Sequence, residues 1–399
     1  MRTISIYLIL ILAFSIIATE SHNITLLGEV NLLGSGEDIV FVNDHALVAS
    51  MSYGIRIVDV SDPSTPFEVA WHPPAGMGYV TGLGCNGNFV YVTDYNEGMR
   101  ILDATWPMAP GEISDISTAG YSLNVQVRDN LAFVAQYESG IAIIDVMNPT
   151  FPENVSSLDM PGLTKDVSPG EDYCYVADDM SGIRVVDITM PDVPIEVGSF
   201  DTPDHANAIA NDSTYAYVAN GIFGLKIIDC SEPSSPTEIG SFNTPGDAVD
   251  IFKQGNFIFI ADKSGGVRVI DVSNPALPSE EGYYISDQEI KGVWVEGDIC
   301  YASGDSGLIT LDISLATASI LEQKLPDNNS LVILPNPFNS GCSISGLDGK
   351  VEIYNTMGKK VATIESPGLW TPVASLESGV YFLHAPNLSS EFKKAIYLK

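Results

Sequence analysis

One phrase of thirteen residues returns seven times and limits the possible folds of this chain more than any other feature. Its clearest copy is GIRIVDVSDPSTP, which begins at Gly54. The later copies begin at Gly98, Gly140, Gly182, Gly224, Gly266 and Gly307. Subtracting successive numbers gives spacings of 44, 42, 42, 42, 42 and 41 residues. A fixed period in the forties predicts repeated structural units that stack against one another.

Each repeat contains four short apolar runs, and the fifth repeat shows them most clearly. Its runs are NAIAN (207–211), TYAYVAN (214–220), GLKIIDC (224–230) and TEIGSF (237–242). Runs of this length, rich in Val, Ile, Tyr and Phe and bounded by Gly, Pro, Asn and Asp, are typical of strands. No 3.6-residue period is sustained, so we expect essentially no helix in the repeats. The sequence therefore predicts an all-β, seven-bladed β-propeller with four-stranded blades.

Most positions of the phrase have a structural interpretation. The Gly is expected to open the third strand in a left-handed turn. In six copies two prolines are expected to end that strand and shape the turn into the fourth, whereas the seventh copy, GLITLDISLATAS, keeps the Gly and the Asp but lacks both prolines. The acid before them can accept backbone hydrogen bonds in the turn. It stands at Asp59, Asp103, Asp145, Asp187, Asp229, Asp271 and Asp312. A ring of metal ligands or catalytic acids is the alternative, but a residue needed by every blade favours a local role.

A basic residue follows the Gly by two positions in five of the seven copies: Arg56, Arg100, Arg184, Lys226 and Arg268. The strand before it ends in an acid in several blades: Asp94, Asp178, Asp262 and Asp305. Adjacent antiparallel strands can pair such charges. We therefore expect cross-strand ion pairs, with a basic collar on an acidic domain as the alternative.

The ring has two possible closures. The seventh repeat supplies three clear strands, and the strand-like ITLLGEV (24–30) can complete its sheet from the other end of the domain. Such a closure removes exposed strand edges without a disulfide. ASILEQKLP (318–326) is the other candidate for the fourth strand.

The start of the chain and its charge indicate an exported protein. Arg2, an apolar run from Ile4 to Ile17 and small residues after it are typical of a signal peptide, which we place at residues 1–21. The chain has 18 basic and 51 acidic residues and a net charge of −33. That charge disfavours nucleic acid and anionic lipid as partners. The five cysteines are unevenly spaced and contain no CxxC pair, so mostly buried thiols are expected, with one disulfide left open.

The repeats resemble the bacterial LVIVD repeat, named for its core pentapeptide. That core stands here as IRIVD, MRILD, IAIID, IRVVD, LKIID and VRVID, with LITLD as the divergent seventh copy. The resemblance extends to the xxxPxxP pattern that follows this core. It also includes the strand that precedes the core, such as FVYVTD and FIFIADKSGG. It covers about residues 24–314, and we place the propeller at 22–314. The resemblance implies a repeat fold and no particular activity.

The composition changes after a polar linker at 315–330, and residues 331–399 alternate apolar runs with Gly and Asn turns. This pattern predicts a small β-sandwich. NPFN, IYNTMGKKV, SGVYFL and a basic terminal strand resemble the C-terminal (type A) sorting domain of type IX secretion cargo. The connection between NPFN and VEIYN is shorter than in that family. The resemblance implies recognition by an outer-membrane secretion machinery in a Gram-negative bacterium, with the product secreted or held at the cell surface.

No catalytic motif stands out. The five histidines lack zinc-type spacing, and GxSxG, GxxxxGK[ST] and EF-hand patterns are missing from the sequence. The expected site is instead one face of the ring, formed by the loops between second and third strands and those entering each first strand. Candidate ligand-binding residues on these loops are Tyr79, Asp94, Tyr95, Glu97, Tyr121, Tyr137, Glu138, Asp178, Asp179, Asp204, His205, Asp262 and Asp305.

Two functions remain open at this point. The first is a non-enzymatic exported protein that binds a protein or glycan partner through this face, with no cofactor but Ca²⁺ as a possible bridging ion. The second is a secreted hydrolase or lyase acting on polysaccharide with carboxylates at the propeller centre. A solvated acidic rim without a ligand is the alternative to both.

Overall fold

Short apolar runs between Gly, Asn and Asp turns form strands throughout the chain. A computed structural model describes residues 21–74, 76, 78–212, 214–317, 332–334, 342–355, 359–370, 379–384 and 392–397. The chain divides into two units after Thr317. Nearly all of the expected signal peptide, most of the expected linker and the NPFN motif lie outside the described residues.

The first unit is built from seven antiparallel sheets, which we call blades 1 to 7. Two strands precede the first sheet: β1 (Ser21–His22) and β2 (Thr25–Asn31). Blade 1 contains β3 (Asp38–Val42), β4 (His45–Ala49), β5 (Ile55–Asp59) and β6 (Phe67–His72). Blade 2 contains β7 (Val80–Asn86), β8 (Phe89–Asp94), β9 (Gly98–Asp103) and β10 (Gly111–Ile116). Blade 3 contains β11 (Asn124–Arg128), β12 (Leu131–Ala135), β13 (Ile141–Asp145) and β14 (Glu153–Leu158).

The next three blades repeat the same order. Blade 4 contains β15 (Asp166–Pro169), β16 (Tyr173–Ala177), β17 (Ile183–Asp187) and β18 (Ile195–Phe200). Blade 5 contains β19 (Ala208–Asn211), β20 (Tyr215–Ala219), β21 (Leu225–Asp229) and β22 (Thr237–Phe242). Blade 6 contains β23 (Asp250–Gln254), β24 (Phe257–Ala261), β25 (Val267–Asp271) and β26 (Ser279–Tyr284), and β1 adds a fifth strand beside β26.

Blade 7 joins the two ends of the unit. It contains β27 (Ile290–Glu296), β28 (Ile299–Gly304) and β29 (Gly307–Asp312), and β2 pairs with β29 as its fourth strand. In that pairing Thr25 lies opposite Asp312 and Val30 opposite Leu308. The predicted closure by residues 24–30 is confirmed, and the alternative at 318–326 lies outside the described residues. No helix occurs in the described part of this unit.

The first strands of successive blades pack side by side around a central channel, from β3 through β27 and back to β3. Each pair of neighbouring blades shares an apolar cluster, such as the one that joins Leu47 and Ile57 of blade 1 to Leu83 and Val92 of blade 2. Third strands are buried on both faces, whereas fourth strands face solvent. The seven-bladed, four-stranded propeller predicted from the period is therefore confirmed.

The recurring phrase has the local structure that its residues predict. All seven of its glycines adopt positive φ, from 67° at Gly224 to 138° at Gly307. A Cβ on Gly182 would lie 2.2 Å from the carbonyl oxygen of Phe200. Each of the seven repeat acids accepts a hydrogen bond from the backbone N–H two residues later, at 2.7–2.9 Å. In blade 1, Ser61 donates to Asp59 in this way, β5 ends at that acid and β6 begins after Pro66.

The predicted cross-strand ion pairs are present in three blades. Arg100 lies 3.4 Å from Asp94, Arg184 lies 3.6 Å from Asp178, and Arg268 lies 3.7 Å from Asp262. Each Arg also contacts a glutamate on the fourth strand: Glu112, Glu196 and Glu280. In blades 1 and 5 the basic residue pairs only with the glutamate of the fourth strand, as Arg56 does with Glu68 and Lys226 with Glu238. We call these residues the charged layer.

The second unit contains β30 (Val332–Leu334), β31 (Cys342–Asn355), β32 (Lys360–Trp370), β33 (Gly379–His384) and β34 (Phe392–Tyr397) in one sheet. Val351, Ile353 and Leu383 are buried in it. The expected sandwich stays a prediction. Cys85, Cys174, Cys230 and Cys300 are free thiols, and the last three are buried. No helix in the described part of the chain has the length and hydrophobicity that crossing a bilayer requires.

Candidate functional site

Two sets of loops meet on one face of the propeller, as predicted. The loop between the second and third strands of one blade forms an isolated backbone bridge with the segment entering the next blade. These bridges pair Met51 with Val80, Tyr137 with Thr164, Asp179 with Ala206, Gly221 with Ala248 and Lys263 with Ile290. The loops surround the opening of the central channel, and we call this region the mouth.

One residue per blade occupies the same place at the mouth. The ring consists of Met51, Tyr95, Tyr137, Asp179, Gly221, Lys263 and Asp305. Five of these residues adopt positive φ between 43° and 53°, although only one is a glycine. The left-handed conformation costs a residue with a side chain roughly 1–2 kcal/mol. The backbone is therefore shared by five of the seven blades, whereas Tyr95 and Asp305 depart from it, and the side-chain chemistry changes from blade to blade.

Aromatic side chains gather on blades 2 and 3. The rings of Tyr95 and Tyr121 stack with centroids 4.3 Å apart and planes 5° apart. Tyr137 lies next to them, with its centroid 6.4 Å from that of Tyr121. We call these three residues the tyrosine cluster. Tyr79 flanks it and accepts a backbone hydrogen bond from Tyr95 at 2.9 Å, and both Tyr79 and Tyr121 are exposed.

Paired charges occupy the side of the mouth formed by blades 4 to 7. Asp179 is held by Lys165 and His205, each 2.6 Å from its Oδ1. Burial alone would raise the pKa of Asp179, but the hydrogen bonds from Lys165 and His205 outweigh it and hold that pKa below its usual value. Lys263 pairs with Asp247 at 2.6 Å.

Lys291 forms a third charged group on this side, between Glu37 at 3.1 Å and Asp305 at 3.0 Å. The hydrogen bond from Lys291 lowers the pKa of Asp305. Since the lysines at the mouth already contact acids, a free anion entering from solvent would have to compete with them.

Three carboxylates lie below the mouth on first strands: Asp38, Asp166 and Asp250. Each accepts one hydrogen bond from the next residue of its own strand, and a second from the first strand of the next blade. The second donors are the N–H groups of Leu83, Ile209 and Val293, at 2.7–2.8 Å. These acids therefore join blade 1 to 2, blade 4 to 5 and blade 6 to 7.

Burial shifts the acidity of these three groups. It raises the pKa of Asp166 to about 7 and that of Asp250 to about 6. It also raises the pKa of Asp38, with a further contribution from the charge of Asp250. Asp38 and Asp250 keep some accessible surface where they line a cavity of about 230 Å³, together with Asn124, Lys165 and Lys291.

Sequence reasoning missed these three acids. The signal was present, because each precedes an apolar residue in a first strand, as in EDIV (37–40), KDVS (165–168) and VDIF (249–252). Subtraction gives spacings of 128 and 84 residues, which are close to three and two repeat lengths. The three acids therefore occupy the same position in their repeats. The equivalent positions in the other blades hold Gly82, Asn124, Ala208 and Gly292, so the acid does not recur in every copy.

Several predicted site residues are buried, and their expected place on exposed loops is wrong. Asp94, Asp178 and Asp262 are fully buried at the ends of second strands, where they belong to the charged layer. Asp178 also accepts hydrogen bonds from Gly162 and Thr164. Burial is the main cause of the raised pKa of Asp178 and of Asp262. Their partners are protein groups, which explains why an acid recurs there.

The remaining predicted residues do lie on the mouth face. Glu97 and Glu138 are exposed on loops beside the tyrosine cluster. Asp204 lies 3.8 Å from the ring of His205. In the described ranges, no group of three His, Cys, Asp or Glu side chains converges as a metal ion would require.

Seven consecutive segments of the chain match the LVIVD repeat: 33–71, 77–118, 119–160, 161–202, 205–244, 245–286 and 289–324. The chain belongs to the LVIVD-repeat family. Each match spans roughly one blade, so the family unit and the structural unit coincide. No curated protein matches the LVIVD-repeat chain.

Solved structures share the propeller fold at low sequence identity. A computationally designed protein, Ika8, aligns with a TM-score of 0.54 and 10% identity over 69% of this LVIVD-repeat chain and 83% of its own. U3-55K aligns with a TM-score of 0.58 and 11% identity, over 72% of this chain and 98% of its own.

A third structure is PorZ, described as an essential bacterial surface component of the type-IX secretion system of the human oral-microbiomic Porphyromonas gingivalis. It aligns with a TM-score of 0.53 and 13% identity over 92% of this chain. The LVIVD-repeat chain spans 60% of the length of PorZ. At such identities the three likenesses establish the fold alone.

Proposed function

We propose that this protein is an exported, non-enzymatic propeller that binds an extracellular protein or glycan at its mouth. The observation that carries the proposal is the division of the mouth into a tyrosine cluster on blades 2 and 3 and paired charges on blades 4 to 7. A backbone shared by five blades, with side chains specific to each blade, is a suitable frame for one asymmetric ligand.

The chemistry of the mouth favours a ligand without strong negative charge. Exposed tyrosines offer apolar ring surface together with hydroxyl groups that form hydrogen bonds. The carboxylates around and below the mouth add acceptors for ligand hydroxyl or amine groups. A net charge of −33 repels polyanions. Neutral glycans and peptides with few acids meet these conditions.

A ligand screen on the full secreted chain tests the proposal, with and without Ca²⁺. We expect at least one neutral glycan or protein to bind, and Tyr121→Ala to weaken that binding at least about tenfold. Trp71→Ala is the matched control, because Trp71 is an exposed aromatic on the outer strand β6. Equal losses in both variants, or no ligand for the wild type, would refute binding at the mouth.

The proposed export route rests on the sequence resemblance of the tail. We propose that residues 331–399 form a small sandwich that an outer-membrane secretion machinery recognises, after the signal peptide has directed the chain to the periplasm. Deletion of 331–399 should then leave the propeller in the periplasm, measured by cell fractionation. Normal delivery of the truncated chain to the surface or medium would contradict this route.

A polysaccharide hydrolase or lyase is the second candidate, favoured by the carboxylates Asp38 and Asp250. Both line the cavity, and burial raises the pKa of Asp250 to about 6, which suits a general acid. Against it, both oxygens of each acid already accept backbone hydrogen bonds. Turnover of a polysaccharide panel by the wild type, lost in Asp250→Asn, would establish the enzyme instead of the binding protein.

A further inference from the structure

The turn after each third strand has the same backbone in six blades. We number this turn from the repeat acid as residue 1. The carbonyl oxygen of residue 4 then accepts a hydrogen bond from the N–H of residue 7, with N–O distances of 2.8–3.0 Å. The six bonds run from Thr65 to Asp62, Ala109 to Trp106, Phe151 to Asn148, Val193 to Met190, Ser235 to Glu232 and Leu277 to Asn274. These turns lie on the face opposite the mouth, because third strands run away from it. Side chains can therefore be compared position by position on one fixed frame.

Three consecutive blades carry large exposed apolar side chains on this frame, two in each turn. They are Trp106 (75% exposed), Met108 (58%), Met147 (74%), Phe151 (74%), Met190 (58%) and Val193 (53%), which we call the rim strip. The same turn reads SDPSTP in blade 1 and SEPSSP in blade 5. Since those polar versions fold into the same turn, the apolar residues of blades 2 to 4 are not required by its backbone.

The turns of blades 3 and 4 in the rim strip each lie against the outer strand of the preceding blade. Ser114, on the outer strand that follows the blade 2 turn, donates its hydroxyl to the carbonyl oxygen of Pro149 in the blade 3 turn at 2.5 Å. Ser156 makes the same bond to Pro191 in the blade 4 turn at 2.5 Å. These bonds fix the position of each turn relative to the blade before it, so the three apolar turns follow one another around the same face. Exposed apolar side chains grouped in this way mark an interaction site more often than scattered single residues do.

The border of the rim strip is acidic. Exposed acids lie in or next to the same turns and in the neighbouring hairpin turns: Asp129, Glu153, Glu171, Asp172 and Asp192. Blades 2 to 4 contain four basic residues, at 100, 128, 165 and 184. Arg100 and Arg184 are held in the charged layer and Lys165 at the mouth, and Arg128 lies beside Asp129 at 3.8 Å. Each basic residue of these blades thus already contacts an acid.

We propose that the rim strip docks a protein partner whose contact surface is apolar at its centre and basic at its edge. Such a partner buries the six side chains and places its positive charges against the acidic border. A second copy of this chain would bring two acidic borders together, and an anionic lipid surface would be repelled in the same way. The strip lies on the opposite face from the mouth, so this partner and the mouth ligand can bind independently.

The test uses the full chain and two defined probes of about 18 residues, which is about five helical turns. One is an amphipathic helix of leucine and lysine, and the other has glutamate in place of lysine. Binding is measured by fluorescence anisotropy at about 0.3 M salt, where long-range attraction is screened. We expect the lysine probe to bind at least about tenfold more tightly than the glutamate probe.

Replacing all six strip residues with serine keeps the net charge and should weaken binding of the lysine probe at least about tenfold. Phe67→Ser, Trp71→Ser and Leu277→Ser together form the control, because they remove exposed apolar side chains outside the strip. We expect that control to bind within about twofold of the wild type. Circular dichroism and thermal melting check that both variants are folded.

Four results would overturn the proposal. Equal binding of the lysine probe to the wild type and the strip variant would assign the attraction to charge alone. Failure of both probes to bind the wild type would leave the strip without the proposed affinity. A wild-type dimer that dissociates in the strip variant, seen by analytical ultracentrifugation, would assign the strip to a second copy. Co-sedimentation with neutral phosphatidylcholine vesicles that the strip variant loses would assign it to lipid.

Discussion

Asp178 and Asp179 are neighbours in sequence but belong to two different regions of the propeller. Asp178 lies in the charged layer, fully buried beside Arg184, and burial raises its pKa. Asp179 lies at the mouth, where hydrogen bonds from Lys165 and His205 outweigh burial and lower its pKa. The comparison separates acids buried within a blade from acids that pair with cations at the mouth. Five substitutions compare these two regions with each other and with the turns.

The largest effect is expected in the charged layer, from Arg268→Met. The change leaves Asp262 buried without its cation, so the free energy of unfolding should fall by about 3–5 kcal/mol at pH 8. At pH 5 the loss should be smaller, because burial raises the pKa of Asp262 and removal of Arg268 raises it further, so a lower pH neutralises more of the unpaired charge. Urea denaturation at both pH values measures the difference.

Blade 5 provides the control for this experiment. Lys226 occupies the place of Arg268, but Asn220 stands where Asp262 would be, so Lys226→Met strands no buried acid. Its cost should be smaller and nearly the same at both pH values. Adding Asp262→Asn to Arg268→Met should restore part of the lost stability. Equal losses at pH 5 and pH 8 for Arg268→Met would show that the charge of Asp262 is not the cause.

The next effect concerns Asp166, whose buried carboxyl has a pKa of about 7 in the folded chain. A raised pKa means that the folded state binds the proton more tightly than the unfolded state does. Its contribution to stability is therefore full below about pH 4 and is lost as the pH rises through about 7. Between pH 4.5 and 8 the free energy of unfolding should fall by about 3 kcal/mol more in the wild type than in Asp166→Asn.

Asn is a fair replacement at this position, because Asn124 occupies it in blade 3 and accepts the same bond from its own strand. The exposed Asp192 supplies the control, and Asp192→Asn should leave the pH dependence of unfolding unchanged. If the stability of Asp166→Asn depends on pH as strongly as that of the wild type, then ionisation of Asp166 does not destabilise the folded chain, and its pKa is not raised by burial.

A third substitution addresses the turn glycine, using Gly182→Ala. The φ of Gly182 is 74°, and an added Cβ would lie 2.2 Å from the carbonyl oxygen of Phe200. Both the conformation and the contact are unfavourable, so we expect a loss of at least about 2 kcal/mol. Gly255→Ala measures the cost of the left-handed conformation without the steric contact, because Gly255 has φ of 57° and nothing lies within 4 Å of its added Cβ. If Gly182→Ala and Gly255→Ala lose equal stability in thermal unfolding, the contact with the carbonyl oxygen of Phe200 contributes nothing.

The sequence predicted the features that recur in every blade. A turn glycine and a turn acid repeat in all seven copies and two prolines repeat in six, so a local physical role could be assigned from a single copy and checked against the others. The closure by 24–30 was predictable for the same reason, because that segment resembles the fourth strand of each repeat. The period thus carries most of the information about the fold.

The mouth was less predictable, because its residues differ between blades. Asp94 and Asp178 stand next to true mouth residues, Tyr95 and Asp179, and one residue along a strand end decides between burial and exposure. An alternation of polar and apolar residues cannot show where the buried part of the strand ends, because the second strands are buried on both faces near their ends. The stacking of Tyr95 on Tyr121 joins residues of two adjacent blades, and no local pattern specifies it.

A smaller effect is expected from the turn acids, tested with Asp229→Ala. The acid accepts one backbone bond from Ser231 near solvent, so its removal should cost about 1 kcal/mol or less. The hydrogen bonds from Ser231 also lower the pKa of Asp229. A lowered pKa stabilises the folded state above about pH 4, so the small effect should disappear as the pH falls. Loss of bound metal or of ligand affinity in this variant would contradict the local role.

The smallest effect on stability is expected at the mouth, from His205→Ala. His205 is about half exposed, and Lys165 still holds Asp179 at 2.6 Å when the imidazole is removed. The free energy of unfolding should therefore change by less than about 0.5 kcal/mol, as for an ordinary surface substitution. Thermal melting at pH 7 measures it, beside Arg268→Met as the positive control. A loss above about 2 kcal/mol would show that His205 and Asp179 stabilise the propeller, and would leave the tyrosine cluster as the part of the mouth available to a ligand.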